Sequence, residues 1–255
     1  MKIISVPRIN ALGLKGPESM SGMVLNELKK DVSELDIENI EVDNSNVEES
    51  GEIIYSKSRD IFEKKEKVAF IGGDHSVTYP IFKAFKETNE NAFLIIFDAH
   101  VDCDYAVKEP THEEFLRAIL EQGFVKPENV VLVGVRKMWD VERKFLAEHK
   151  IKVFTEIFDL ESVADYITER ANGKDVYVSV DVDVLDPAFA PAVNYPEPNG
   201  LSSRELFYLL KRIFCIKSLK ALDIVEVVPE KDEKYDYRTV KIASKIVEGF
   251  IESSR

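Results

Sequence analysis

The sequence predicts an α/β fold, a parallel sheet covered by helices on both faces. Two observations predict it. Apolar, β-rich runs alternate with helical patterns along the chain, and several of those runs are apolar at nearly every position, as strands buried on both faces must be. A third observation locates function. Ligands of open parallel sheets bind beyond the carboxyl ends of the strands, and four of these runs end in acidic residues or histidine.

The strand runs are Lys2–Val6, Asn39–Val42, Lys67–Ile71, Ala92–Phe97, Val130–Val135, Ile151–Phe154, Asp175–Val180 and Leu219–Val225. Helical patterns lie at Met20–Lys30, Val47–Lys65, Val77–Lys86, Glu113–Glu121, Asp140–Lys150, Ser162–Ala171, Ser203–Ile213 and Thr239–Ser253. Thr111 and Glu114 form T-x-x-E, a capping box that predicts a helix starting at His112. Ser202 or Ser203, with Glu205 behind, caps the next long helix. Gly123 and Gly173 close two helices. No linker, repeat or low-complexity tract divides the 255 residues, so one domain over 1–255 is expected.

Composition excludes several classes. No stretch approaches the roughly 18–20 apolar residues of a membrane span. Met1 leads into "KIISVP", which reads as a strand and not as a leader. Cys103 and Cys215 are too few for a disulfide framework, and a reducing cytoplasm is the expected setting. A net charge of −13 argues against nucleic acid and anionic membranes. It serves solubility, and it also suits a cationic substrate.

The strand ends read "GGDHS", "DAHVDCD", "DVDVLDP" and "EVVPE". In extended chain alternate side chains share a side. Asp98, His100 and Asp102 can therefore face one point, and so can Asp181 and Asp183, with His75 as a second imidazole. Buried carboxylates must be paired or coordinate metal, and no cluster of Lys or Arg lies near these in sequence. Two divalent cations would satisfy them. An oxygen-rich set suits Mn, and the imidazoles also admit Zn, Ni, Co or Fe. Two such ions could hold one water between them. Alternation points Cys103 away from the ligands.

These motifs, together with "FDAHVDCDY", "SVDVDVLDPAFAP", "DIVEVVP" and an N-terminal "VPRINALGLKGPE", resemble the signatures of the ureohydrolase (arginase/agmatinase) superfamily over most of the chain. The resemblance implies a doubly wound three-layer α/β/α sandwich on an eight-stranded parallel sheet, which agrees with the eight strand runs. It implies two Mn2+. His75, Asp98, Asp102 and Asp181 would hold one, and Asp98, His100, Asp181 and Asp183 the other, Asp98 and Asp181 bridging. It implies hydrolysis of a guanidino C–N bond to urea and an amine. Glu226 matches the carboxylate that receives the guanidinium, and His112 matches the proton shuttle, although Glu113 follows where a small residue is usual. Homotrimers or homohexamers are expected. His149, at a helix end, reads as structural.

Asp104 stands where arginase-type members have an Asn that helps to hold the substrate carboxylate. An Asp there repels a carboxylate and suits an amine, which favours agmatine. Arginine, guanidinobutyrate and formimidoylglutamate are the competing substrates. The same carboxylate-rich centre also suits a metal-dependent hydrolase of another amide or ester. A non-catalytic relative would show the loss of a ligand, and all six ligand positions are intact. Ala192, Asn194, Tyr195 and Asn199 replace small residues, mostly Gly and Thr, in the loop "APAVNYPEPNG", and a Tyr there would narrow or reline the pocket.

Overall fold

The computed structural model describes residues 1–11 and 13–253. Eight parallel strands form one sheet: β1 (Lys2–Ser5), β2 (Asp36–Asn39), β3 (Val68–Ile71), β4 (Ala92–Phe97), β5 (Val130–Val133), β6 (Lys152–Phe154), β7 (Asp175–Asp181) and β8 (Leu219–Val225). Their order is β2-β1-β3-β8-β7-β4-β5-β6. The chain runs outward from β1 to one edge and returns to β3. It then skips to β4 and runs outward to the other edge. Only at the end do β7 and β8 fill the centre. The four strands that carry the acidic and imidazole ends are therefore consecutive in space, β3-β8-β7-β4.

Burial follows from that order. All six residues of β4, AFLIIF, and all four of β3, VAFI, are buried. On one face α1 (Met20–Asp31), α6 (Leu160–Arg170), α7 (Ser203–Phe214) and α9 (Arg238–Glu252) pack on residues such as Phe93, Ile95 and Val178. On the other, α2 (Val47–Glu63), α3 (Thr78–Thr88), α4 (Phe115–Glu121) and α5 (Asp140–His149) cover Leu94, Ile96 and Tyr177. Truncating one of these, Leu94→Ala for example, would cost about 2–5 kcal/mol. A short helix, α8 (Pro229–Asp232), follows β8. None of the described helices is long and apolar enough to cross a membrane.

Two local expectations are corrected. β2 lies three residues before the apolar run Asn39–Val42. Among the described residues it pairs only with β1, from Lys2↔Asp36 to Ser5↔Asn39. The chain turns away at Val6–Pro7, so the ladder ends and the polar edge "DIEN" becomes the strand. The helix expected from His112 starts at Phe115. Thr111 and Glu114 do pair, through Thr111 Oγ1 and Glu114 Oε2 at 2.5 Å. That contact closes a non-helical turn, with Glu114 at φ −136°. By contrast, Ser202 and Glu205 form the full capping box of α7.

Candidate metal centre

The loop after β3 is shaped by glycine. A Cβ on Gly73 would stand 1.9 Å from the carbonyl oxygen of Arg8, in the segment that leaves β1. Asp74 then accepts the Ser76 N–H at 3.1 Å and the Asn10 N–H at 2.5 Å. This tight turn carries His75, fully buried, over the middle of the sheet.

β4 ends at Phe97, so Asp98, His100 and Asp102 lie on an irregular loop and not on a continuing strand, and Asp102 adopts φ +55°. The expected alternation persists in direction. Val101 and Cys103 point into the core under α4, while the three polar side chains turn toward His75 and Asp183. His75 Nδ1 faces Asp98 Oδ2 at 3.0 Å, Asp102 Oδ2 at 3.2 Å and Asp181 Oδ2 at 3.4 Å. His100 Nδ1 faces Asp183 Oδ2 at 2.9 Å and Asp98 Oδ1 at 3.5 Å. Two groups result that could each hold a metal ion, His75–Asp98–Asp102 and Asp98–His100–Asp183, and Asp98 belongs to both. Asp181 Oδ1 accepts the Asp183 N–H at 2.8 Å, and Asp183 Oδ1 accepts the Ala99 N–H at 3.0 Å. Each of these two carboxylates thus keeps one oxygen on a backbone N–H and turns the other to the centre.

The far side of His75 decides its proton. Asp223, buried in β8, accepts hydroxyl protons from Tyr177 at 2.6 Å, Ser179 at 2.6 Å and Thr78 at 2.9 Å. Ser179, having given its proton to Asp223, accepts from His75 Nε2 at 2.9 Å. In the neutral ring the other nitrogen, Nδ1, is then a bare lone pair. Lone pair and carboxylates are all acceptors, and His75 Nδ1 and Asp98 Oδ2 are buried without hydrogen-bond partners among the described residues. A cation between them resolves this, so the donor set fits metal ions. The charge balance agrees. Burial opposes the charged His100 ring, but Asp183 and Asp98 outweigh it and push its pKa up to about 12. Burial likewise opposes charge on His75, and Asp102, Asp181 and Asp98 hold its pKa well above the ordinary value. Burial first, and neighbouring carboxylates second, raise Asp102, Asp181 and Asp183. The centre holds protons wherever it lacks other positive charge.

A cavity of about 270 Å³ opens above it. His112 and Glu226 line this cavity, both buried, and Asp104 lines it from a partly exposed position. Glu226, at φ +70°, donates its N–H to Gly73 O at 2.9 Å and accepts the His75 N–H on Oε1 at 2.9 Å. Burial, then Asp74, raise its carboxyl pKa well above the usual range. His149 lies elsewhere, with Nδ1 2.9 Å from Phe145 O within α5.

Sequence reasoning missed Glu113, Lys137, Trp139, Glu142 and Glu197, which also line the cavity. Lys137 and Trp139 follow β5, so the strand-end rule applied to "VGVRKMWD" would have found them. The neighbouring Arg136 donates to the carbonyls of Gly134, Asp183, Val184, Leu185, Glu197 and Pro198, which fastens the loops after β7. Glu142 accepts the Cys103 N–H at 3.0 Å and so braces the Asp102 loop.

Known proteins share this plan. The arginase-family pattern matches residues 14–251. An agmatinase of Bacillus subtilis is 30% identical over 226 residues, 86% of this chain and 76% of the relative. An arginase of Staphylococcus aureus is 31% identical over 225 residues, 78% of this chain and 74% of the relative. The crystal structure of an arginase from Bacillus subtilis superimposes with a TM-score of 0.88 at 26% identity, covering 98% of this chain and 97% of that one. The chain belongs to the arginase family, hydrolases that act on guanidino C–N bonds.

Proposed function

We propose that the protein is a Mn2+-dependent amidinohydrolase that cleaves agmatine to putrescine and urea. The observation that carries the substrate is the charge of the cavity wall. Beyond the metal-ligand candidates and Glu226 it holds Asp104, Glu113, Glu142 and Glu197, against one lysine, Lys137. A substrate with a cation at both ends suits that wall, and a terminal carboxylate meets repulsion.

His75, Asp98, Asp102 and Asp181 would hold one ion, and Asp98, His100, Asp181 and Asp183 the other, with Asp98 presenting one oxygen to each side. When bound, two such ions supply Lewis acidity and a water activated near neutral pH. The chain's own side chains do the rest. Glu226 keeps Oε1 on the His75 N–H, so Oε2 remains for the planar guanidinium fork. Hydrolysis adds the water oxygen to the guanidinium carbon, breaks one C–N bond and sends a proton to the departing amine nitrogen. His112, whose two ring nitrogens have no hydrogen-bond partner among the described residues, would carry that proton.

Lys137 supports a second reading, in which it pairs with a substrate carboxylate. Arginine, guanidinobutyrate and formimidoylglutamate therefore belong in the assay beside agmatine. Product release from each is measured with added Mn2+: urea from the guanidines, formamide from formimidoylglutamate. Agmatine is expected to give the highest kcat/KM. Metal-loaded protein that releases no urea from any guanidine refutes the reading. A homotrimer or homohexamer in the cytoplasm completes the proposal, and light scattering after size exclusion tests the assembly.

A further inference from the structure

We infer that Tyr195 is a positioning residue for His112, holding the imidazole by stacking where no hydrogen bond holds it. The inference rests on the guanidine-hydrolase reading, in which His112 carries the proton. The Tyr195 and His112 rings lie nearly parallel, 22° apart with centroids at 5.5 Å. The same phenol ring meets His100 edge-on, at 76° and 6.1 Å. One side chain therefore spans a metal-ligand candidate and the proton carrier.

His112 needs such support. It is 5% exposed, both ring nitrogens lack hydrogen-bond partners among the described residues, and the Glu113 carboxylate stands 3.9 Å from Nε2, beyond hydrogen-bond reach. A hydrogen bond would fix the tautomer, that is, which nitrogen carries the proton. A stack fixes the plane of the ring and leaves both nitrogens free to take and give one. The tyrosine itself is held on both flanks. Ala192 O accepts the Val228 N–H at 2.8 Å, and Lys231 Nζ donates to Val193 O and Asn194 Oδ1 at 3.0 and 2.8 Å. Downstream, Arg136 Nη2 donates to Glu197 O at 2.8 Å, and the Asn199 N–H donates to Asp186 at 2.8 Å. A ring on a loop so fastened can orient another ring.

The test compares Tyr195→Phe, Tyr195→Leu and Tyr195→Thr, with kinetics on the Mn2+-loaded enzyme and NMR of the histidine ring protons in the metal-free protein. Loss of the stack is expected to lower kcat roughly 3- to 10-fold in the Leu and Thr variants, the scale of one aromatic pair. KM should stay within about twofold. Tyr195→Phe keeps the ring and should recover most of kcat. Nuclear Overhauser contacts from the His112 ring protons to its other neighbours should weaken in the Leu and Thr variants and persist in the Phe variant, a change that loss of the tyrosine ring current alone does not produce. Unchanged His112 ring contacts in Tyr195→Leu overturn the inference, and so do weakened contacts with unchanged kcat. If the wild type releases no urea, the guanidine reading falls, while the NMR comparison still decides whether the stack holds His112.

Discussion

Ser179→Ala tests whether the centre is built for metal from behind. The Ser179 hydroxyl is fully buried, accepts from His75 Nε2 at 2.9 Å and donates to Asp223 at 2.6 Å. Its removal leaves the Nε2–H without an acceptor. A buried unsatisfied donor costs about 1–3 kcal/mol. The ring can escape that cost by moving its proton to Nδ1, which abolishes the lone pair that would ligate. Either way the expected loss is roughly 10- to 100-fold in Mn2+ affinity, the range seen for partners behind metal-bound histidines. It should fall mainly on one of two ions, because His100 and Asp183 are untouched. Tyr177→Phe is the control. It removes another Asp223 donor and keeps the ring that packs on Phe82 and Phe85. Asp223 retains Ser179 and Thr78, so affinity should change by less than about threefold. Calorimetric titration gives affinity and stoichiometry, and circular dichroism verifies folding. Wild-type affinity in Ser179→Ala refutes the metal reading of this support, and equal losses in both variants would trace the effect to general damage.

Other expectations follow from the same geometry. Glu226→Gln should bind both ions yet lose roughly 100-fold or more in kcat/KM for agmatine, because the charged contact from Oε2 to the guanidinium becomes a neutral one; an unchanged kcat/KM rules this out. Asp104→Asn should narrow the preference for agmatine over arginine roughly 3- to 10-fold, the scale of one partly screened charge; an unaltered ratio removes Asp104 from specificity. Rising pH should strengthen Mn2+ binding, because the entering ion displaces protons. The sign for stability follows from the raised pKa values of His75, His100, Asp102, Asp181 and Asp183. A raised group stabilises fully below its unfolded value, about 3.9 for Asp and 6.5 for His, and less as pH climbs toward the folded value. Asp98 is depressed by His100 and His75 against burial, and its window lies at acid pH. From pH 5 to 9 the metal-free Tm should therefore fall while Mn2+ raises Tm by a growing margin; a constant margin in thermal melts contradicts this.

The readable parts of the molecule were those whose cause is local in sequence. β3 and β4 announce themselves because a strand buried on both faces has no polar position. The ligand loops follow such strands directly, so each motif carries its own address. β2 was misplaced because Asp36, Glu38 and Asn39 disfavour a strand and only Ile37 favours one; its partner β1 imposes it. The polar support behind His75 had a signal that went unused. Ser179 and Asp223 interrupt the apolar runs of β7 and β8, and a buried polar group in a strand implies a partner. The Tyr195–His112 stack joins two loops distant in sequence, and no periodicity encodes such a meeting. The T-x-x-E at Thr111 misled for a related reason: the same pair closes a turn when the chain must swing His112 toward the cavity.

Backbone strain is a further sign that the centre was shaped for ligands. Lys65 and Lys150 have positive φ where α2 and α5 end, an ordinary way to stop a helix. Asp102 and Glu226 have it at buried carboxylates just beyond strand ends. Left-handed backbone at a non-glycine residue costs about 1–3 kcal/mol and persists only where the surroundings enforce it. For Glu226 the enforcing contacts are visible: its N–H reaches Gly73, and its carboxylate takes the His75 N–H. Asp102 has less to offset the strain: burial and the neighbouring Asp98 oppose its charge, and its carboxylate meets the His75 ring at 3.2 Å. Glycine would relieve the backbone at that position and remove a buried carboxylate as well. Selection for the metal-free fold alone favours that exchange, so the aspartate is explained by what its carboxylate does once positive charge occupies the centre.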